Sequence, residues 1–156
     1  MAARIRKAKP EDGEAIAEIL RSLGWFEHIN AEPVAATAAR VARHLEMCLR
    51  GESHSVNIAE DEHGRVVGYA AVHWLPYLML AGPEGYLSEL FLLEDARGRG
   101  AGTALLDAVK AEARQRGCSR LMLVNKRNRE SYLREFYGKR CWIERPAAAN
   151  FILPLA

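Results

Sequence analysis

Glu89-Leu90-Phe91-Leu92-Leu93-Glu94-Asp95-Ala96-Arg97-Gly98-Arg99-Gly100-Ala101-Gly102 is the stretch whose reading decides the fold. It opens with an apolar run of strand character, turns through three glycines and two arginines, and runs on into Leu105, Leu106, Val109 and Ala113 at helical spacing, with Gly117 placed to end the helix. Strand, glycine-rich turn and helix therefore follow one another without a linker. The first turn of a helix leaves backbone N–H groups without internal acceptors, at the positive end of its dipole. Glycines remove the side chains that would hold a phosphate away from them, Arg97 and Arg99 add charge, and Thr103 adds a hydroxyl. The physics is that of an anion site for a phosphate or pyrophosphate.

Other glycine-rich designs fit less well. A P-loop needs Gly-Lys-Ser/Thr, and Gly102 is followed by Thr103 with no lysine. The dinucleotide fingerprint G-x-G-x-x-G is replaced by G-x-G-x-G, and the segment follows a hairpin instead of opening a βαβ unit.

Working outward, Arg4 to Ala8 reads as a strand and Pro10 opens a helix with a stripe at Ile16, Ile19, Leu20 and Leu23, stopped by Gly24. Trp25-Phe26-Glu27-His28 forms an aromatic loop, and a second helix runs from Pro33 to Gly51. Ser55–Glu60 and Val66–Trp74 pair as a hairpin across the turn at Gly64, with Gly68 marking a bulge or close approach. Beyond the central helix, Leu121–Asn125 reads as a strand, Glu130–Lys139 as a helix and Phe151–Leu155 as a last strand. The order β-α-α-β-β-β-α-β-α-β implies a mixed α/β sheet flanked by helices.

The chain has 156 residues, 49% hydrophobic and 27% charged, which suits one globular domain over residues 1–156. No apolar run nears the roughly 20 residues of a membrane helix, so no membrane partner is expected, nor is a secretory signal. A net charge of +2, with no aromatics interleaved among the arginines of the turn, gives no case for nucleic acid. Cys48, Cys118 and Cys141 are odd in number and widely spaced, which suits free thiols in a reducing cytoplasm, with neither a disulfide framework nor a metal site.

Arg97-x-x-Gly100-x-Gly102 resembles the Arg/Gln-x-x-Gly-x-Gly/Ala acyl-CoA motif of the GNAT superfamily of N-acetyltransferases. Residues 89–102 resemble that family's fourth strand and third helix start, and the element order is similar to its fold, with a mostly antiparallel central sheet. The resemblance implies a bulge that splays the fourth strand from the fifth, so that backbone groups of Leu90 and Leu92 bond pantetheine, with the Leu92 N–H also an oxyanion donor. It implies a pyrophosphate resting on Arg97, Gly98, Arg99, Gly100, Ala101, Gly102 and Thr103. Phe136-Tyr137 through Trp142 resembles the family's second segment, which makes Tyr137 the acid for the leaving thiolate and brings Asn128 near a coenzyme-contacting asparagine.

The reaction implied is acetyl transfer from acetyl-CoA to a primary amine, without a metal. An alkyl ammonium with a pKa of about 10.4 must first lose a proton. Glu89, on the coenzyme-bearing strand, is the favoured base, ahead of His73 and Glu60. Trp25, Phe26, Trp74 and Tyr77 are the candidate lining of the acceptor pocket. A small-molecule acceptor is favoured over a protein lysine or N-terminus, and the rival of another class is a non-catalytic acyl-CoA-binding module. A homodimer is expected, with the last strand as a plausible exchange point.

Overall fold

The computed structural model describes residues 3–155. They divide into two compact units, one ending at Leu123 and the other beginning at Val124.

The first unit is a five-stranded sheet in the order β1 (Arg4–Lys7), β2 (His54–Glu60), β3 (Val66–Leu75), β4 (Glu84–Leu92) and β5 (Arg120–Leu123). Neighbours are antiparallel as far as β4, and β5 runs parallel to β4. Helix α1 (Gly13–Leu23) follows a 3-10 turn at Pro10–Asp12 and ends on Gly24, whose φ of 67° is the left-handed value the sequence placed there. A short α2 (Glu27–Ala31) occupies part of what reads as a loop, and α3 (Val34–Leu49) starts just after Pro33. Helix α4 (Ala101–Gln115) links β4 to β5.

Helices α1 and α3 pack on each other and on β2 and β3, while α4 packs on β2, β3 and β4. Side chains settle which face is which. Ser55 of β2 donates to Glu112 of α4, and the Arg116 guanidinium, just past α4, lies over the Trp74 ring of β3. Strand alternation then puts Val56, Ile58, Tyr69, Ala71 and His73 on the opposite face, with α1 and α3. Both layers are dry: Ile19 and Ile58 are fully buried on one side, Leu105, Leu106 and Val109 on the other.

Two bulges break the ladder. One lies between Ala59 and Glu60 opposite Gly68, where an added Cβ would stand 2.9 Å from the Phe91 carbonyl oxygen and from Leu92 Cδ2. Gly68 is thus a close approach, next to a bulge whose extra residue is Val67. The other lies in β4, where Val72 pairs with Leu87 and Ala71 with Glu89, so Ser88 has no opposite number.

The second unit holds α5 (Glu130–Leu133) and a 3-10 turn at Gly138–Arg140. Two expectations are corrected here. The helix read over Glu130–Lys139 stops after one turn, with Glu135 at a left-handed φ of 56°. Phe151–Leu155 forms no strand and is exposed. None of residues 124–155 is buried. Without an apolar face to bury, neither a long helix nor an unpaired strand offsets its ordering cost.

Candidate active site

Strand β4 positions the site. It pairs with β5 only over Glu84–Leu87, against Arg120–Leu123. From Ser88 onward its outer edge has no strand partner among the described residues. The Leu93 N–H donates to the Val67 carbonyl at 2.9 Å, which fixes the alternation. Phe91 and Glu89 then direct their backbone groups toward β3, and Leu90 and Leu92 direct theirs to the open edge. These are the two residues expected to bond pantetheine; the bulge expected with them is present, and β5 ends at Leu123, opposite Leu87.

The open edge leads to the glycine turn. A 3-10 turn at Glu94–Ala96 brings the chain to Arg97, and Arg65 pairs with Asp95 at 2.8 Å to anchor it. Gly98 and Gly100 have φ of 73° and 88°, a region that favours glycine, and a Cβ at either would meet nothing within 4 Å. The first bond of α4 runs from the Ala104 N–H to the Gly100 carbonyl at 2.9 Å, so the N–H groups of Ala101 and Gly102 point out of the helix end. Arg99 is exposed beside them and Thr103 lies in the same first turn. Open space over two left-handed glycines, outward N–H groups and two arginines suit a diphosphate, and free amide edges suit an amide-bearing arm. The residues present therefore fit acetyl-CoA.

On the α1/α3 face the same strand carries aromatic rings and a carboxylate. Phe91 is edge-on to Trp25 at 5.8 Å, to Phe26 at 5.9 Å and to Tyr69 at 5.9 Å. The Arg97 guanidinium lies 6.0 Å from the centre of the Trp25 ring, joining the turn to the aromatic group. The Tyr69 hydroxyl donates to Glu89 Oε2 at 2.7 Å. Burial, aided by the Glu89 charge, holds the Tyr69 phenol well above its ordinary value, so it remains a donor. Burial first, and the same charge second, push up the Cys48 thiol of α3.

The remaining sequence candidates fall into place or out of it. Trp74 is corrected: it is 7% exposed on the α4 face, its indole N–H on Ser55 Oγ at 2.9 Å, and it belongs to the core. Tyr77 is exposed in the β3–β4 connection, past Leu75, about 20 Å of strand from Tyr69. Glu60 is held by Arg6 in an ion pair at the β1 edge. His28 is exposed on α2. In the second unit Tyr137 lies between Phe136 and Trp142, with ring centres at 5.1 and 5.9 Å, and burial pushes its phenol up to about 12. Asn128 is exposed in a turn.

Sequence reasoning missed Ser88, Tyr69 and Phe91. The signal was there for Ser88: Leu87 and Leu90 share the α4 face across a spacing of three, where a regular strand has two.

An open strand edge, a glycine turn that suits a diphosphate and a carboxylate on the adjoining face fit an acyl-CoA-dependent transferase. Residues 18–141 match the model of the Acetyltransferase (GNAT) family. Glucosamine 6-phosphate N-acetyltransferase 1 of Oryza sativa subsp. japonica is 30% identical over 144 residues, 86% of this chain and 85% of the relative. Thialysine N-epsilon-acetyltransferase of Mus musculus is 29% identical over 126 residues, 78% of this chain and 73% of the relative. A solved structure described as a transcriptional regulator from Bacillus halodurans C-125 superposes with a TM-score of 0.83 at 20% identity, over 98% of this chain and 99% of that one, a likeness of fold. The chain belongs to the GNAT family of acetyltransferases. It is an N-acetyltransferase that uses acetyl-CoA and an amine acceptor.

Proposed function

We propose that the acceptor is a primary amine on a small molecule, received on the α1/α3 face against Trp25, Phe26 and Glu89. The observation that carries this reading is that Glu89 and the Trp25–Phe26–Phe91 group share one face of the strand whose free edge would hold the coenzyme. The two curated relatives above are named for glucosamine 6-phosphate and thialysine, both small amines, which supports it.

In this reading Leu90 and Leu92 bond the pantetheine amides, and the turn from Arg97 through Gly98, Arg99, Gly100, Ala101, Gly102 and Thr103 holds the diphosphate, with Asn128 as an outlying contact. Glu89, oriented by Tyr69, accepts the first proton from the ammonium ion. The Leu92 N–H, fixed in advance by the strand, stabilises the charge that develops on the acetyl oxygen. Tyr137, still protonated at neutral pH because its phenol is pushed up to about 12, supplies the departing sulfur with its proton. Both units act as one domain over residues 1–156, a reading supported by a family match that crosses Leu123. We place the enzyme in the cytoplasm on the strength of its three free thiols. We read it as a homodimer on the strength of the exposed apolar segment Phe151–Leu155.

A panel of amines offered with acetyl-CoA, followed by release of the CoA thiol, tests the proposal. Thiol release with small primary amines is expected. Release only with peptides would reassign the acceptor to a protein. Tight coenzyme binding with no release for any amine would make the chain a binding module.

A further inference from the structure

Trp25 and Phe26 stand in a connection that local structure alone does not hold. It runs from Gly24, at the end of α1, to Pro33, just before α3, and its one regular element is the five-residue α2. A helix that short is unstable by itself, and its last carbonyls have no acceptor role to fill within it. Trp25 is 41% exposed, so burial fixes the ring only in part.

Polar groups supply the rest. Arg21, in the last turn of α1, donates from a single nitrogen, Nη1, to the Ile29 carbonyl at 2.9 Å, the Glu32 carbonyl at 3.1 Å and Thr37 Oγ1 at 2.9 Å. Thr37 is fully buried in α3 and donates in turn to Glu32 Oε1 at 2.7 Å. The Arg40 guanidinium forks onto both oxygens of that carboxylate at 2.6 Å. Arg40 first, and Thr37 second, lower the Glu32 carboxyl to about 2, so this end of the clasp is charged at neutral pH. Asn30 braces the other end. Its backbone N–H donates to the Phe26 carbonyl and its Nδ2 to the Gly24 carbonyl, both at 3.0 Å, which closes the chain around Trp25.

We propose that Arg21 and Asn30 are positioning residues for the acceptor: Arg21 fixes the far end of α2 through the Ile29 and Glu32 carbonyls, and Asn30 carries that hold to Trp25 and Phe26. The inference rests on the reading above, in which those two rings receive the amine. Both rings meet Phe91 edge-on, at 5.8 and 5.9 Å, two residues along β4 from Glu89. The clasp therefore sets the spacing between the aromatic wall and the carboxylate. A wall held before the amine arrives spares binding the cost of ordering it, so releasing the clasp weakens acceptor binding and leaves the coenzyme turn, on another part of the chain, as it was.

The test compares Arg21→Met, Arg21→Lys and Asn30→Asp with wild type. Met keeps the apolar stem and removes every donor. Lys places its three donors on one nitrogen, which is what three acceptors around Nη1 ask for. Asp keeps the shape of Asn30 without the Nδ2 donor. Hydrogen exchange followed by mass spectrometry reads the segment with no amine present: residues 24–32 should exchange about 10-fold faster in Arg21→Met, with β3 and β4 protected as in wild type and Arg21→Lys close to wild type. In steady-state kinetics with the most active amine of the panel, the amine KM should rise about 10-fold in Arg21→Met and about 3-fold in Asn30→Asp, while kcat and the KM for acetyl-CoA stay within about twofold. Neither KM depends on how much of the enzyme is folded, so lost stability alone would not produce that split. Unchanged exchange, an unchanged amine KM, an equal rise in the KM for acetyl-CoA, or Arg21→Lys behaving as Arg21→Met would overturn the proposal. If Arg21→Met does not fold, Asn30→Asp, at an exposed position, decides by the same two readouts. Wild type that releases no thiol with any amine would overturn the amine reading and this inference with it, whereas active wild type with unaffected variants would overturn this inference alone.

Discussion

In the proposed reaction Glu89 takes a proton and Tyr137 gives one, and each is suited to its part by what touches it. Glu89 accepts the Tyr69 hydroxyl bond, which orients its carboxylate on the α1/α3 face. Glu89→Gln should lower kcat/KM roughly 100-fold, most at low pH, where the amine is hardest to deprotonate. The ratio of wild type to variant, followed across pH, checks this, and a flat ratio would assign the first proton to another acceptor. Tyr137 keeps its proton because its ring is half-buried between Phe136 and Trp142. Tyr137→Phe should slow turnover and leave acetyl-CoA affinity unchanged, measured by titration calorimetry beside kcat. At this scale the sequence was informative wherever a residue type has few uses, such as a strand carboxylate next to the glycine turn. It was silent on partners. The spacing of Leu87 and Leu90 hints at a bulge but does not show that Ser88 turns toward His73, and the face that Trp74 takes depends on which helix packs over which side of β3.

Elements were read with more success where periodicity and terminators agree. Gly24, Gly64 and Gly117 all have positive φ at the ends and turns assigned to them. The glycine turn carries the sharpest test. At Gly100 a Val would have to adopt φ of 88° and would place its methyls in the open space above the Ala101 and Gly102 amides. Gly100→Val should abolish detectable acetyl-CoA binding while the far-ultraviolet circular dichroism is unchanged; retained affinity would remove the diphosphate from this corner. The junction of β1 with α1 makes a different kind of prediction. Asp12 is buried, takes two bonds from Arg6 at 2.7 and 2.8 Å and one from the Lys9 N–H at 2.7 Å. The Arg6 bond, more than any other cause, lowers its carboxyl pKa. A depressed folded value means that this contribution is present above the ordinary carboxylate value and fades as pH falls through the folded one. Asp12→Asn should cost about 2–3 kcal/mol at neutral pH, and the gap to wild type should narrow in acid, as urea melts at several pH values would reveal. Elements failed to be legible beyond Val124. Apolar composition suggested a strand and a longer helix, but a segment with nothing buried has no reason to keep either.

For the molecule as a whole, the strongest expected effect is linkage. A ligand held at the β4 edge and the α4 terminus binds only the folded chain, so acetyl-CoA at about 100 times its Kd should add about 2.7 kcal/mol. For a chain of this size that is a rise in Tm of roughly 5–10 °C, readable by scanning calorimetry. The mixed sheet and its helices on both faces were legible from the order of elements, because each stretch through Leu123 buries one side and announces it in its spacing. The edge of β4 past the end of β5 has a cost that reaches past catalysis. Unsatisfied amides along a strand are an adhesive, which most sheets hide with charge, proline or a covering loop. If the proposed coenzyme site is right, the adhesive has to stay bare for the thioester's tether to find it, and the nucleotide that feeds the reaction also shields the enzyme from its own stickiness. Aggregation should accordingly be fastest where that metabolite is scarce.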